Sequence, residues 1–276
     1  MDKLFEEILN DNTSGSGTVL NAVIFQLQDK LQKSGNVDLL LLSDKLEKVF
    51  EKFPNFALLH HFIYRYKQTF ENRKEAPVED VQNFLRFYLE KYAGAQLKVS
   101  EKFLKEINVE GKNILLHSNS SAVKNLFETL KRNKIFPSVW QTVSSPANEG
   151  KVQAEFLLNL GYEINLFHED SISLFAKEID IAVFGADMIF NGFFVNKTGT
   201  YPLCLMMKRL GKPVYVIAEE RKKIDERKTG TPEIEKLLDE YPKPAEELAG
   251  AVNGKIKVHN YYFEKIPLSL VDKLFI

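Results

Sequence analysis

Asp187 is the residue from which chemistry is most readily built. It follows the apolar run Ile179-Asp180-Ile181-Ala182-Val183-Phe184 and the pair Gly185-Ala186, which sets it just past the tip of a predicted buried parallel strand. Open α/β sheets keep their ligands at such strand ends. A carboxylate there contributes little to packing, and its chemistry is to bind polar groups or to move a proton. Capping of local structure is the plain alternative. Phe190-Asn191-Gly192-Phe193 then puts an Asn-Gly pair between hydrophobic residues, the strongest short-range hairpin signal, so a small flap is expected beside Asp187. Asn196-Lys197-Thr198-Gly199-Thr200 leads into an apolar helix, and its amide, ammonium, hydroxyl and N–H groups converge on the carboxylate.

Other loops supply the same rim. His117 ends a predicted strand, and Ser118-Asn119-Ser120-Ser121 joins it to a helix. These hydroxyls and N–H groups suit an anion, and serine and asparagine suit helix capping equally well. Thr13-Ser14-Gly15-Ser16-Gly17-Thr18 is a second anion nest or a capping turn. It is not a dinucleotide fingerprint, because no strand precedes it and Leu20 stands where a third glycine would. There is no Walker-type Gly-Lys-Ser/Thr, and the five histidines show no metal-ligand spacing, so neither a cofactor nor a metal is expected. The single cysteine, Cys204, lies between Leu203 and Leu205 and reads as a core residue.

The elements that position these groups divide in two. Residues 1 to 108 read as helical, with apolar positions three and four apart such as Val19, Val23, Ile24 and Leu27 and no clean strand. The last helix is predicted to begin at Pro77 and to run past Lys102 despite Gly94, as a strut to the second half. From 109 to 276 strands alternate with helices: Ile114–His117, Val139–Thr142, Ile164–Phe167, the strand before Asp187, and Val214–Ala218, with helices over Ala122–Leu130, Gly150–Leu160 and Tyr201–Leu210. That alternation defines an α/β fold with a doubly wound parallel sheet. Residues 219–245 carry balanced charges and prolines and read as a solvated loop with a short helix around Pro232–Leu238.

Composition excludes other classes. Net charge is −1 over 276 residues, so no basic field invites nucleic acid or a membrane surface. The acidic, amphipathic start is not a signal peptide, no apolar run reaches spanning length, and one cysteine suits a reducing compartment. The expected location is the cytoplasm.

Taken together, Gly185-Ala186-Asp187, Asn191-Gly192, Asn196-Lys197-x-Gly199-Thr200, Pro213–Glu219 and the closing Phe263-Glu264-x-Ile266-Pro267-x-x-Leu270-Val271 resemble the initiation-factor-2B-like family. That family holds the alpha, beta and delta subunits of the eukaryotic exchange factor, methylthioribose-1-phosphate isomerase and ribose-1,5-bisphosphate isomerase. The resemblance implies an N-terminal helical domain joined by a long helix to a Rossmann-like C-terminal domain, and a homodimer or larger oligomer. In the isomerases a cysteine and an aspartate convert an aldose carrying a C1 phosphate to a ketose. Asp187 occupies the aspartate's place and Ser118 the cysteine's, next to the matching His117. Ser14-Gly15-Ser16 stands where the isomerases have an Arg-Gly-Ala type turn, and Val143-Ser144-Ser145-Pro146 where they have Glu-Thr-Arg-Pro. Serine provides no bidentate grip on phosphate. The resemblance therefore implies a small phosphorylated ligand, a sugar phosphate or nucleotide, held by a non-isomerase member through Asp187, Ser118, His117, Asn119, Ser120, Ser144, Ser145, Asn196, Lys197 and the Ser14–Ser16 turn. Two alternatives stay open: an active sugar-1-phosphate isomerase, and an interaction subunit of a larger assembly.

Overall fold

The computed structural model describes residues 3–11, 14–31, 35–224, 245–250 and 256–276. Thr13, the segment 225–244 and the helix expected around Pro232–Leu238 lie outside the described residues. The chain divides into two compact units, Met1–Gly94 and Ala95–Ile276.

The first unit is built from helices α1 (Lys3–Asn10), α2 (Ser16–Leu31), α3 (Leu39–Lys52), α4 (Ala57–Thr69) and α5 (Val78–Tyr92). Val23, Leu46, Val49, Phe62, Val81 and Leu85 from four of these helices are buried together in its core. Two three-residue strands, β1 (Asn36–Asp38) and β2 (Glu75–Pro77), pair antiparallel. They depart from the all-helical expectation because strands this short carry no readable periodicity. Asp38 ends β1 and caps α3, accepting from the N–H groups of Leu40 and Leu41 at 2.9 and 3.0 Å.

The predicted strut is interrupted. α5 ends at Tyr92 and α6 spans Ala95–Glu106. Between them Gly94 takes φ +71°, a left-handed conformation that a continuous helix does not contain. α6 consequently belongs to the second unit, and the division falls at Gly94 rather than at the expected 108/109.

The second unit holds six parallel strands: β3 (Asn113–Leu116), β4 (Ser138–Thr142), β5 (Ile164–Phe167), β6 (Ile181–Phe184), β9 (Val214–Ile217) and β11 (Lys273–Phe275). Between them run α7 (Ser121–Arg132), α8 (Glu149–Leu160), α9 (Ile172–Phe175) and α10 (Thr200–Arg209). The spatial order is β11-β9-β6-β3-β4-β5. The chain starts at β3, winds outward through β4 and β5, then returns to the other side of β3 for β6, β9 and β11. This is a doubly wound, Rossmann-like order, and its direction reverses between β3 and β6. Val99, Phe103, Leu126, Phe127 and Leu157 pack on one face, while Ile172, Leu203, Cys204 and Met207 pack on the other.

The Asn191-Gly192 hairpin forms as predicted. β7 (Met188–Ile189) pairs antiparallel with β8 (Phe193–Lys197), the Phe190 N–H donates to Phe193 O at 2.9 Å, and Gly192 has φ +111°. A third strand, β10 (Phe263–Pro267), adds to the far edge of β8. No helix among the described residues is long and apolar enough to cross a membrane.

Candidate functional site

The switch point explains why the candidate residues meet. Ligands of doubly wound sheets sit in the crevice where neighbouring crossovers leave in opposite directions, at the C-terminal strand ends. Here those ends are His117-Ser118 after β3 and Gly185-Ala186-Asp187 after β6. Glycine at 185 is required by the closeness of the two loops, since a Cβ there would fall 2.6 Å from Ser120 Cβ. Ser120 caps α7, accepting from the Val123 N–H at 3.5 Å, and its own N–H donates to Gln153 Oε1 at 2.8 Å.

A continuous polar network runs through the crevice. His117 is buried, and its Nε2 lies 3.0 Å from Thr198 O. A carbonyl only accepts, so Nε2 carries the proton and Nδ1 accepts from Thr142 Oγ1 at 2.6 Å. That fixes the next links. Ser144 Oγ donates to Thr142 Oγ1 at 2.9 Å and accepts from the Ser118 N–H at 2.8 Å. Burial pushes the His117 pKa down to about 4, so the ring is neutral near pH 7 and positions its neighbours. Gly199 lets the following loop lie against it: at φ +105°, a Cβ would come within 3.0 Å of His117 Cε1.

Ser118 itself has φ +67° and turns its hydroxyl to Glu149 Oε1 at 3.2 Å. Glu149 Oε2 is 3.1 Å from Lys197 Nζ, with side-chain exposures of 12% and 1%. Neither charged atom completes a hydrogen bond among the described residues, so the pair is held by charge. Tyr262 lies over the ammonium, 4.1 Å from Nζ to the ring centroid, and adds a cation–π contact. Burial raises the Glu149 pKa against the opposing pull of Lys197.

Asp187 is half-buried, and its backbone N–H is used by Val195 O at 2.8 Å. Its carboxylate accepts no hydrogen bond from the described residues. Burial raises its pKa, and the Lys222 and Lys197 ammonium groups oppose that rise. Lys222 is 4% exposed and donates to Ala186 O. It lies in the stretch predicted to be solvated. The structure corrects that expectation for residues 219–224: a short 3-10 turn over Glu220–Lys222 folds Lys222 inward, and Glu219 is buried and paired with Arg221. No sequence signal separates Lys222 from the neighbouring Lys223.

Two backbone cradles that suit an anion are already filled. The Ser144 and Ser145 N–H groups donate to Glu169 at 3.0 and 2.6 Å. At the start of α10, the Gly199 and Tyr201 N–H groups donate to Glu264 Oε1 at 2.8 and 2.7 Å. Ser145 Oγ contacts His168 Nε2 at 3.1 Å. Asn196 is buried, and its amide donates to Thr200 Oγ1 at 3.0 Å. Asn119 keeps a buried Oδ1 without a partner among the described residues. Ser14, Gly15 and Ser16 lie in the first unit at the start of α2, where the Ser14 N–H donates to Asp11 Oδ1 at 2.9 Å and the Val19 N–H to Gly15 O at 3.1 Å. Cys204 is buried in α10, and burial pushes its thiol up to about 12, which makes it unreactive.

The crevice thus joins Asp187, Lys197, Lys222, Glu149 and Ser118 in a doubly wound domain, and the chain belongs to the Initiation factor 2 subunit family, whose model matches residues 19–276. Ribose 1,5-bisphosphate isomerase of Methanocaldococcus jannaschii is 30% identical over 208 residues, covering 74% of this chain and 64% of that protein, just under two thirds of its length. A putative translation initiation factor eIF-2B subunit 2-like protein of Pyrococcus horikoshii is 30% identical over 230 residues, covering 82% of this chain and 75% of the relative. Among solved structures, the Pyrococcus horikoshii OT3 translation initiation factor eIF-2B superposes with a TM-score of 0.78 at 24% identity, covering 99% of this chain and 93% of that one.

Proposed function

We propose that this chain binds a small phosphorylated metabolite, a sugar phosphate before a nucleotide, in the switch-point crevice, and that binding rather than isomerisation is its task. The observation that carries this reading is Asp187, half-buried with no hydrogen-bond donor on its carboxylate and with two buried ammonium groups acting on it. Beside it, Lys197 Nζ and Asn119 Oδ1 are buried without a hydrogen bond among the described residues, and buried groups of this kind are costly unless something binds them. A polyhydroxylated ligand answers that need, since each hydroxyl donates to a carboxylate and accepts from an ammonium. The name of the Methanocaldococcus relative is the ground for trying ribose phosphates first. With Glu169 and Glu264 filling the backbone cradles, ammonium groups are left to meet the phosphate. Saturation-transfer NMR with ribose 1,5-bisphosphate, ribose 5-phosphate and nucleoside monophosphates tests this. Transfer that vanishes in Lys197→Met supports the reading, and no transfer from any of these ligands to the parent sinks it.

One observation favours an isomerase instead. A serine hydroxyl needs a neighbouring base to take part in proton transfer, and Glu149 stands 3.2 Å from Ser118 Oγ with its pKa raised by burial. Aldose-to-ketose conversion moves a proton from C2 to C1, with Asp187 serving the sugar oxygen and the Ser118–Glu149 pair the carbon. Proton NMR of ribose 1,5-bisphosphate with the parent and Ser118→Cys decides between the two. Turnover by the parent that is lost in Glu149→Gln establishes the isomerase, and turnover by Ser118→Cys alone leaves the binding reading in place.

A further inference from the structure

The first unit contains a cleft of about 410 Å³ lined from α4, α5 and the loop between them. Its polar side chains include Arg65, Arg73, Asp80, Asn83 and Lys91. Arg73 is committed to Asp80 at 3.0 Å. Arg65 is half-buried, and its guanidinium has neither a hydrogen bond nor an ion pair among the described residues. A half-buried guanidinium keeps five N–H donors in a rigid fork that matches phosphate. Three cations against one carboxylate make the cleft a place for an anion.

The floor is aromatic. Phe84, Tyr88 and Tyr92 recur at four-residue spacing on α5, which brings them onto one face. Their rings form a continuous rail with centroids 6.1 Å apart from Phe84 to Tyr88 and 5.0 Å from Tyr88 to Tyr92, and Phe70 extends it at 5.7 Å from Phe84. Phe87 stands on the wall and is 60% exposed. From Asp80 to Lys91 the helix rises about 16 Å, so the cleft is elongated, and its volume falls within the range of small-molecule sites.

We infer that this cleft is a nucleotide site: Phe87 stacks the base above the aromatic floor, the Asn83 amide, whose Oδ1 already accepts from Arg86 at 2.8 Å, donates to the base edge, and Arg65 takes the phosphate. An apolar ligand would leave the guanidinium unpaired. A phosphate without a ring would leave Phe87 in water. All its lining residues belong to the first unit, whereas Asp187 belongs to the second, and the inference stands without the crevice.

Calorimetric titration of full-length Asp187→Asn, in which the crevice is weakened for sugar phosphates, with adenosine monophosphate, adenosine and ribose 5-phosphate tests the inference. Adenosine monophosphate is expected to bind saturably, with adenosine and ribose 5-phosphate each at least about tenfold weaker, because a charge-assisted hydrogen bond or a stacked ring contributes that much. Arg65→Met and Phe87→Ser, both outside the buried core and each added to Asp187→Asn, weaken adenosine monophosphate about tenfold or more, while Asp187→Asn alone binds it like the parent. Equal binding of ribose 5-phosphate overturns the nucleotide assignment. So does parent-like binding by both cleft variants, or loss of binding in Asp187→Asn, which would move the nucleotide to the crevice.

Discussion

Glu149→Gln is the sharpest perturbation of the network. It preserves the shape of the side chain and removes the charge facing Lys197, whose side chain is 1% exposed. Breaking a buried pair by removing one partner costs about 3 to 5 kcal/mol, because the remaining charge is stranded. Glu149 keeps 12% of its side-chain surface, and the Tyr262 ring stays over the ammonium, so the lower end, about 3 kcal/mol, applies. Trp140 is the only tryptophan and lies in β4, so its fluorescence in urea reports the unfolding of the second unit. The expected result is a lower midpoint with an unchanged slope. The double variant Glu149→Gln/Lys197→Met removes the stranded charge and recovers most of the loss, which a double-mutant cycle reads as coupling. A Glu149→Gln midpoint within about 0.5 kcal/mol of the parent would refute the pairing, since that is the size of an ordinary surface substitution.

Three other outcomes follow from the same geometry. Asp187 has a raised folded pKa, so the native state holds its proton above the unfolded value, and its contribution is full at low pH and lost as pH rises through the folded pKa. Asp187→Asn is therefore more stable than the parent at pH 7, with the difference closing below about pH 4; urea titrations at both pH values check it. His117 shifts the other way. Its folded pKa is about 4 against 6.5, so the unfolded chain takes up a proton first, and stability falls as pH drops from 6.5 toward 4. Nitrogen-15 NMR should show the ring neutral and protonated on Nε2 across that window. Gly185→Ala forces a Cβ against Ser120 and is expected to cost about 1 to 3 kcal/mol by overpacking, measured by urea unfolding.

How much of this was legible in the sequence varied with how local the cause is. Asp187 and the Asn191-Gly192 hairpin were readable because a buried strand, a Gly-Ala step and a two-residue turn each leave a contiguous signature. The doubly wound sheet followed from alternation, although the closing strand β11 was missed. Its three residues Lys273–Phe275 pair with β9, and a run that short has no pattern. The partners of the site are long-range and were not readable. Glu149 reaches Ser118 across 31 residues of sequence and Glu264 reaches Gly199 across 65, so their role depends on the fold that brings them together. Glu169 and Glu264 occupy the backbone N–H groups of Ser144, Ser145, Gly199 and Tyr201 for the same reason. Lys222 was hidden among like charges, and only the turn after β9 selects it. Gly94 was visible as a weak point in a helical pattern, but whether a glycine bends or ends a helix is decided by packing beyond the window.

Calorimetric titration of the parent and Asp187→Asn with ribose 1,5-bisphosphate tests the central claim most directly. Saturable binding to the parent that weakens at least about tenfold in the variant, as loss of a hydrogen bond to a charged group requires, is the predicted result. Equal affinity in both proteins would contradict the claim that Asp187 and the crevice around it hold the ligand.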